Sequence, residues 1–149
     1  MVRLATSNDA GDVARLMIGF RNWWSREEPP DAAFHDGVRR VLADPNSDFL
    51  LAGDPPAAVC QLRYRYSIWT ESHDCWLEDI FVEEHARGSG MGRALMEAAL
   101  DRARERGCRR MELDVNEANP AALALYESLG FSAWSVPPGG RNVLMRRRL

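Results

Sequence analysis

The chain has 149 residues, a formal net charge of −3 and a hydrophobic fraction of 46%. That is enough for one domain with its own core, and it gives no general attraction to nucleic acid or to an anionic membrane. All 19 basic side chains are arginine, which removes Schiff-base and lysine-base chemistry. Cys60, Cys75 and Cys108 are widely spaced without a CxxC pair and read as reduced residues of a cytoplasmic protein. No N-terminal apolar region or long apolar span points to secretion or membrane insertion.

Val2 to Ala5 reads as a short strand. Ser7, Asn8 and Asp9 offer helix caps before Val13, Leu16, Met17, Phe20 and Trp24, which recur at helical spacing. Ser25 to Pro30 breaks that helix, and Asp31 to Ala43 forms a second, with Phe34, Val38, Val41 and Leu42 inward. Phe49 to Ala52 is a strand, Gly53 to Pro56 a turn, and Ala57 to Trp69 a longer strand. Val59, Gln61, Arg63, Arg65 and Ser67 share one of its faces. Thr70 to Asp74 turns the chain into an apolar strand ending at Val82.

A third helix follows from Met91, with Leu95, Ala98, Ala99 and Arg102 on its buried side and Gly107 at its C-terminus. Arg109 to Val115 is another strand. Pro120 suits the first position of a fourth helix that carries Leu123, Tyr126 and Leu129 and ends at Gly130. Phe131 to Val136 and Val143 to Arg148 read as two final strands joined through Pro137-Pro138-Gly139-Gly140. The expected fold is α/β: a mixed, mostly antiparallel central sheet of about seven strands flanked by four helices, in a single domain spanning residues 1–149. The helix between Val82 and Arg109 implies at least one parallel crossover.

The stretch Cys75 to Arg93 organises this order. A strand feeds a loop with Gly88, Gly90 and Gly92 at alternate positions beside Arg87 and Arg93, and a helix starts directly after. Glycines let a ligand approach the backbone, unpaired N–H groups point outward, and the helix dipole favours negative charge. Spacing sets several phosphate motifs aside. A P-loop needs lysine; the dinucleotide fingerprint needs glycine where Arg93 stands; a hydrolase elbow needs glycine where Arg87 stands.

The run Ile80-Phe81-Val82-Glu83-Glu84-His85-Ala86-Arg87-Gly88-Ser89-Gly90-Met91-Gly92 resembles the acyl-CoA signature of the GNAT N-acetyltransferase superfamily. That signature is an apolar strand, a loop, then Arg/Gln-x-x-Gly-x-Gly/Ala. The run from Leu113 through Asn119-Pro120 and Leu125-Tyr126 to Gly130-Phe131 is similar to the family's second hallmark. With Val2-Arg3-Leu4-Ala5 and the element order, the resemblance covers nearly the whole chain; Glu84 stands where the family often has proline.

This resemblance implies acetyl-CoA as acyl donor and a primary amine, small and cationic or on a peptide or protein, as acceptor, with no metal. Carried over by position, the backbone of Ile80, Phe81 and Val82 would pair with the pantetheine arm. Gly88, Ser89, Gly90, Met91, Gly92 and Arg93 would cradle the pyrophosphate, with Arg87 adding charge or standing as a solvated surface residue. Asn119 would hydrogen-bond the arm or serve as a helix cap. Tyr126 matches the general acid that protonates the CoA thiolate, although its spacing also suits a core tyrosine.

Leu77-Glu78-Asp79 resembles the diamine/polyamine branch of the superfamily, where the Glu acts as base. Strand alternation is expected to send Glu78 and Asp79 to opposite faces. Glu78 is the candidate base; an ion pair with Arg63 or Arg65 is the structural alternative. Aromatic and acidic residues, Phe20, Trp23, Trp24, Glu27, Glu28, Asp31, Trp69, Glu71, Asp74 and Trp134, lie in segments that form the family's acceptor pocket. The rival reading is a catalytically silent acyl-CoA-binding sensor of the same fold. Family members often pair through terminal strands, so a homodimer is a further expectation.

Overall fold

The computed structural model describes residues 1–135 and 139–149. They form two compact units, Met1–Leu113 and Asp114–Leu149. The first contains one five-stranded sheet in the order β1 (Val2–Leu4), β2 (Ser47–Gly53), β3 (Pro56–Ser67), β4 (Ser72–Val82) and β5 (Arg110–Leu113). The first three pairings are antiparallel and β4–β5 is parallel. Helices α1 (Ala10–Trp23) and α2 (Asp31–Leu42) lie between β1 and β2, and α3 (Met91–Glu105) makes the expected crossover from β4 to β5.

The two faces of this sheet follow from alternation along its strands. Phe49, Leu51, Val59 and Phe81 pack with Val13, Leu16, Met17 and Val38 of α1 and α2 in one buried cluster. Gly19 lets α1 approach closely, because a Cβ there would stand 3.1 Å from the Phe81 ring. Burial of each large apolar side chain contributes about 1.5–3 kcal/mol. The opposite face presents Leu50, Cys60, Leu62 and Cys75, all buried, and α3 packs on β2, β3 and β4 through Leu95, Met96 and Ala99. Met96 and Ala103 join that buried side. Arg102 reaches it as an ion pair, its Nε 2.7 Å from Asp48, which also accepts from the Tyr64 hydroxyl at 2.8 Å.

C-terminal capping matches the sequence, whereas Ser7–Asp9, expected as N-caps, form a 3-10 turn capped by Thr6 and give α1 no side-chain cap. Gly107 and Gly130, both at positive φ, follow the ends of α3 and α4 (Pro120–Ser128). The Cys108 amide donates to Ala103 and the Phe131 amide to Tyr126, which closes each helix end.

The second unit departs from expectation. Among its described residues neither Phe131–Ser135 nor Val143–Arg148 is a strand; only a single bridge joins Trp134 and Arg141. Two backbone bonds, Ser135 to Gly140 and Asn142 to Ala133, accompany it. Val136, Pro137 and Pro138 lie outside the described residues. The alternation read from Val143 onward has no ladder to join: all seven residues from Val143 to Leu149 are exposed, including the run Arg146-Arg147-Arg148. Among the described residues the sheet therefore has five strands rather than about seven.

A buried carboxylate ties the β3–β4 hairpin to β5. Asp74, 1% exposed, accepts hydrogen bonds from the Thr70 hydroxyl at 2.9 Å and from Nε of Arg110 at 3.0 Å. Burial alone would raise its pKa, but the Arg110 and Thr70 hydrogen bonds outweigh burial and hold it below the usual carboxylate range. A depressed folded-state pKa stabilises above the unfolded value, about pH 4, and is lost as pH falls through the folded value. Asp74→Asn is accordingly expected to cost about 1–3 kcal/mol at neutral pH. Urea unfolding of parent and variant should converge as the pH is taken well below 4.

Candidate active site

Strand β4 is the spine of the site. Its β3 side is laddered along nearly its whole length, from Ser72 opposite Ser67 to Val82 opposite Ala58. Its other side is paired with β5 only from Asp74 to Leu77. Beyond Leu77, no strand of the described residues pairs with that edge, so backbone groups of the Glu78–Val82 segment are open to an extended partner.

The point where β5 stops is also where β4 is irregular. Leu77 pairs with Leu62 and Asp79 with Gln61, which leaves Glu78 as an extra residue in a bulge. Leu77 and Asp79, two apart in sequence, therefore face opposite sides of the sheet, and simple alternation through Glu78 does not hold. Glu78 is exposed. Among the described residues it makes no ion pair; Arg65 instead pairs with Glu112 at 3.2 Å and lies over the Trp76 ring.

After Val82 the chain makes a single 3-10 turn at Glu84–Ala86, and the glycine loop leads into α3. Gly88 and Gly90 have φ of 75° and 86°, and a Cβ on either would meet no atom within 4 Å. Conformation rather than crowding requires glycine at these positions, and the open side gives a ligand access to the backbone. Gly90 is the N-cap of α3; no side chain caps it, and the first turn holds no acidic residue. The orphan N–H groups and positive dipole end of a 15-residue helix thus face no competing carboxylate. This suits a phosphate or pyrophosphate.

Arg87 is exposed, but its guanidinium is held by specific contacts. Its Nε donates to the Val82 carbonyl at 3.0 Å, and its guanidinium lies 5.5 Å from the Trp23 ring centroid and 5.9 Å from that of Phe81. Trp23 packs edge-on against Trp24, and Phe20 stacks on Phe81. An open cleft of about 540 Å³ is lined there by Gly19, Trp23, Phe81, Glu83, Glu84, His85 and Arg87. Arg15 secures its far wall by pairing with Glu83 and donating to the Pro56 carbonyl. The Arg87–Trp23 stack was not legible in the sequence, because nothing local relates the end of α1 to a loop more than sixty residues away.

Glu78, Ile80–Val82 and Arg87–Arg93 are thus brought together on one strand–loop–helix segment of the first unit. Asn119 and Tyr126 belong to the second. Asn119 Oδ1 accepts from the Ala122 amide at 3.2 Å, so it caps α4 ahead of Pro120. Tyr126 is 6% exposed on the same helix, with its ring edge-on to Phe131 at 6.0 Å. Trp69, expected near the acceptor, is 91% exposed at the β3–β4 turn. No helix among the described residues is long and apolar enough to cross a membrane.

Comparison with known proteins agrees with this arrangement. The chain is 53% identical over 66 residues to the mycothiol acetyltransferase of Thermobispora bispora, covering 44% of this chain and 21% of that protein. It is 39% identical over 95 residues to that of Salinispora tropica, covering 58% of this chain and 29% of that protein. The chain therefore spans less than a third of the length of these curated relatives. It is 32% identical over 149 aligned positions to thialysine N-epsilon-acetyltransferase of Bos taurus, covering 87% of this chain and 82% of that protein. A candidate acetyltransferase from Arthrobacter sp. FB24 superposes with a TM-score of 0.88 at 28% identity, covering 100% of this chain and 95% of that one. Residues 15–131 match the profile of the acetyltransferase (GNAT) family, and with the open β4 edge and the glycine loop before α3 in view, the chain belongs to that family.

Proposed function

We propose that the protein is an acetyl-CoA-dependent N-acetyltransferase that moves the acetyl group directly to a primary amine. The observation that carries this reading is the open edge of β4 running into an uncapped, glycine-preceded helix N-terminus. An extended pantetheine arm can add to Ile80, Phe81 and Val82 as a short strand, while Gly88 to Arg93 receive the pyrophosphate at its far end. Arg87, stacked and hydrogen-bonded, fixes the loop entrance and adds positive charge beside it.

An alkyl amine is mostly protonated at neutral pH, and only its neutral form attacks a thioester. Glu78 is the proposed base. Its carboxylate is exposed at the bulge and, among the described residues, not committed to an arginine. It takes the ammonium proton directly or through one water. Tyr126 is the proposed acid, giving its phenolic proton to the thiolate as the C–S bond breaks. Asn119 is proposed to contact the arm with whatever hydrogen-bonding capacity its cap to Ala122 leaves. The Leu77-Glu78-Asp79 run resembles that of the diamine/polyamine branch, and one relative is a thialysine N-epsilon-acetyltransferase. The primary alkyl amine is the element common to both.

Thiol release from acetyl-CoA against a panel of amines, alongside acetyl-CoA binding, tests this reading. Turnover with at least one amine is expected; binding without release on every amine would mark a sensor instead. Tyr126→Phe should lower kcat about 10²–10⁴-fold with acetyl-CoA binding retained, and unimpaired turnover at every pH would remove the assignment. Glu78→Gln should depress kcat by a similar order, with the loss shrinking as rising pH supplies neutral amine without help. Equal activity of parent and variant at neutral pH would place the base elsewhere.

A further inference from the structure

Along β4 the backbone groups alternate between β3 and the open edge, and one hydrogen bond fixes which residue does which. The Glu83 amide donates to the Ala57 carbonyl at 2.9 Å, so Glu83 faces β3. Phe81, two residues back and opposite Val59, faces β3 as well. Ile80 and Val82 therefore present their N–H and C=O groups to the edge that β5 leaves unpaired. Past the bulge these are the groups an added strand would use.

One of those two carbonyls already has a donor. Nε of Arg87 lies 3.0 Å from the Val82 oxygen, the separation a donor on an added strand would itself need. The guanidinium lies over the rings of Trp23 and Phe81, and among the described residues it makes no ion pair. Glu83, which lines the same cleft, is paired with Arg15, and the Ser89 hydroxyl in the loop is committed to the Ala86 carbonyl. Arg87 is thus an unneutralised cation directly before Gly88 and three residues before Gly90, the N-cap of α3.

Its present partners are weaker than a phosphate. A neutral carbonyl and a surface aromatic ring hold a guanidinium less firmly than the charged oxygens of a diphosphate, which it can grip bidentately. An arm laid along the β4 edge competes with Arg87 for the Val82 oxygen. A donor with a pyrophosphate at the α3 N-terminus offers the displaced guanidinium a stronger partner close by. A thioester arm without phosphates must displace the same group and offers it none.

We infer that Arg87 is a donor-specificity residue, which covers the last acceptor of the β4 edge against phosphate-free thioesters and yields it to a diphosphate-bearing one. The inference rests on the acetyl-CoA reading above and adds an obstructing element to it, selection against the wrong donor as well as attraction of the right one. Trp23 acts through Arg87, as a positioning residue that holds the guanidinium at the edge. The Arg15–Glu83 pair and the Phe20–Phe81 stack do not involve Arg87 and keep the corner in place when it turns.

S-Acetylpantetheine carries the same thioester and arm as acetyl-CoA without the phosphates and the nucleotide, and calorimetry on the full chain gives the Kd of each. Arg87→Ala is expected to raise the Kd for acetyl-CoA about tenfold or more and to lower that for acetylpantetheine about two- to fivefold. Trp23→Leu, at a position 44% exposed, should lower the Kd for both donors by about that smaller factor. This gain should vanish in the Arg87→Ala background, as a coupled pair requires. A tightened Kd cannot come from a protein that has lost its fold. An arginine that only binds pyrophosphate would leave acetylpantetheine unchanged in Arg87→Ala, and one that only braces the loop would weaken both donors. Either result overturns the inference, as does a Trp23→Leu protein that binds acetyl-CoA no more tightly than the parent. A parent that binds neither donor removes the acetyl-CoA reading itself, and this inference with it.

Discussion

Everything at the candidate site depends on how β4 is paired. Its first half is held from both sides, by β3 and by β5, and its second half from one side only. Backbone amides left open at a sheet edge must be met by water or by another chain. Here the open segment is short, begins at a bulge, and ends in a glycine loop leading into a helix N-terminus. Those three features in sequence make a track with an anion-binding end, and the proposed course of acetyl-CoA follows that track.

The track is kept rigid by contacts that use few residues. Arg87 joins the loop to β4 through the Val82 carbonyl and to α1 through Trp23, while Phe20 and Phe81 stack beneath it. Arg15 ties the other side of the same corner to Glu83 and to the Pro56 carbonyl. The start of β4 is fixed by the buried Asp74 with Arg110 and Thr70. With both ends anchored, the bulge at Glu78 sits at a defined place, as its proposed role as general base requires.

The elements with strong local signals were legible in the sequence. Apolar spacing located α1, α2 and α3 to within a few residues, and Gly107 and Gly130 end helices as expected. The glycine loop could be read as an anion site because its chemistry is local. Two features could not be read. The bulge depends on register against β3, which no residue in β4 declares. The last two strands were inferred from alternation, which cannot show whether a sheet partner exists; among the described residues only the Trp134–Arg141 bridge forms.

Amide hydrogen exchange with and without acetyl-CoA tests the central claim, that the open edge of β4 and the loop before α3 form one donor track. Added acetyl-CoA should slow exchange in Ile80–Val82 and in Gly88–Arg93, with little change in the β3-paired stretch from Ser72 to Leu77. Protection absent from both segments, or confined to a different face of the sheet, would contradict the account.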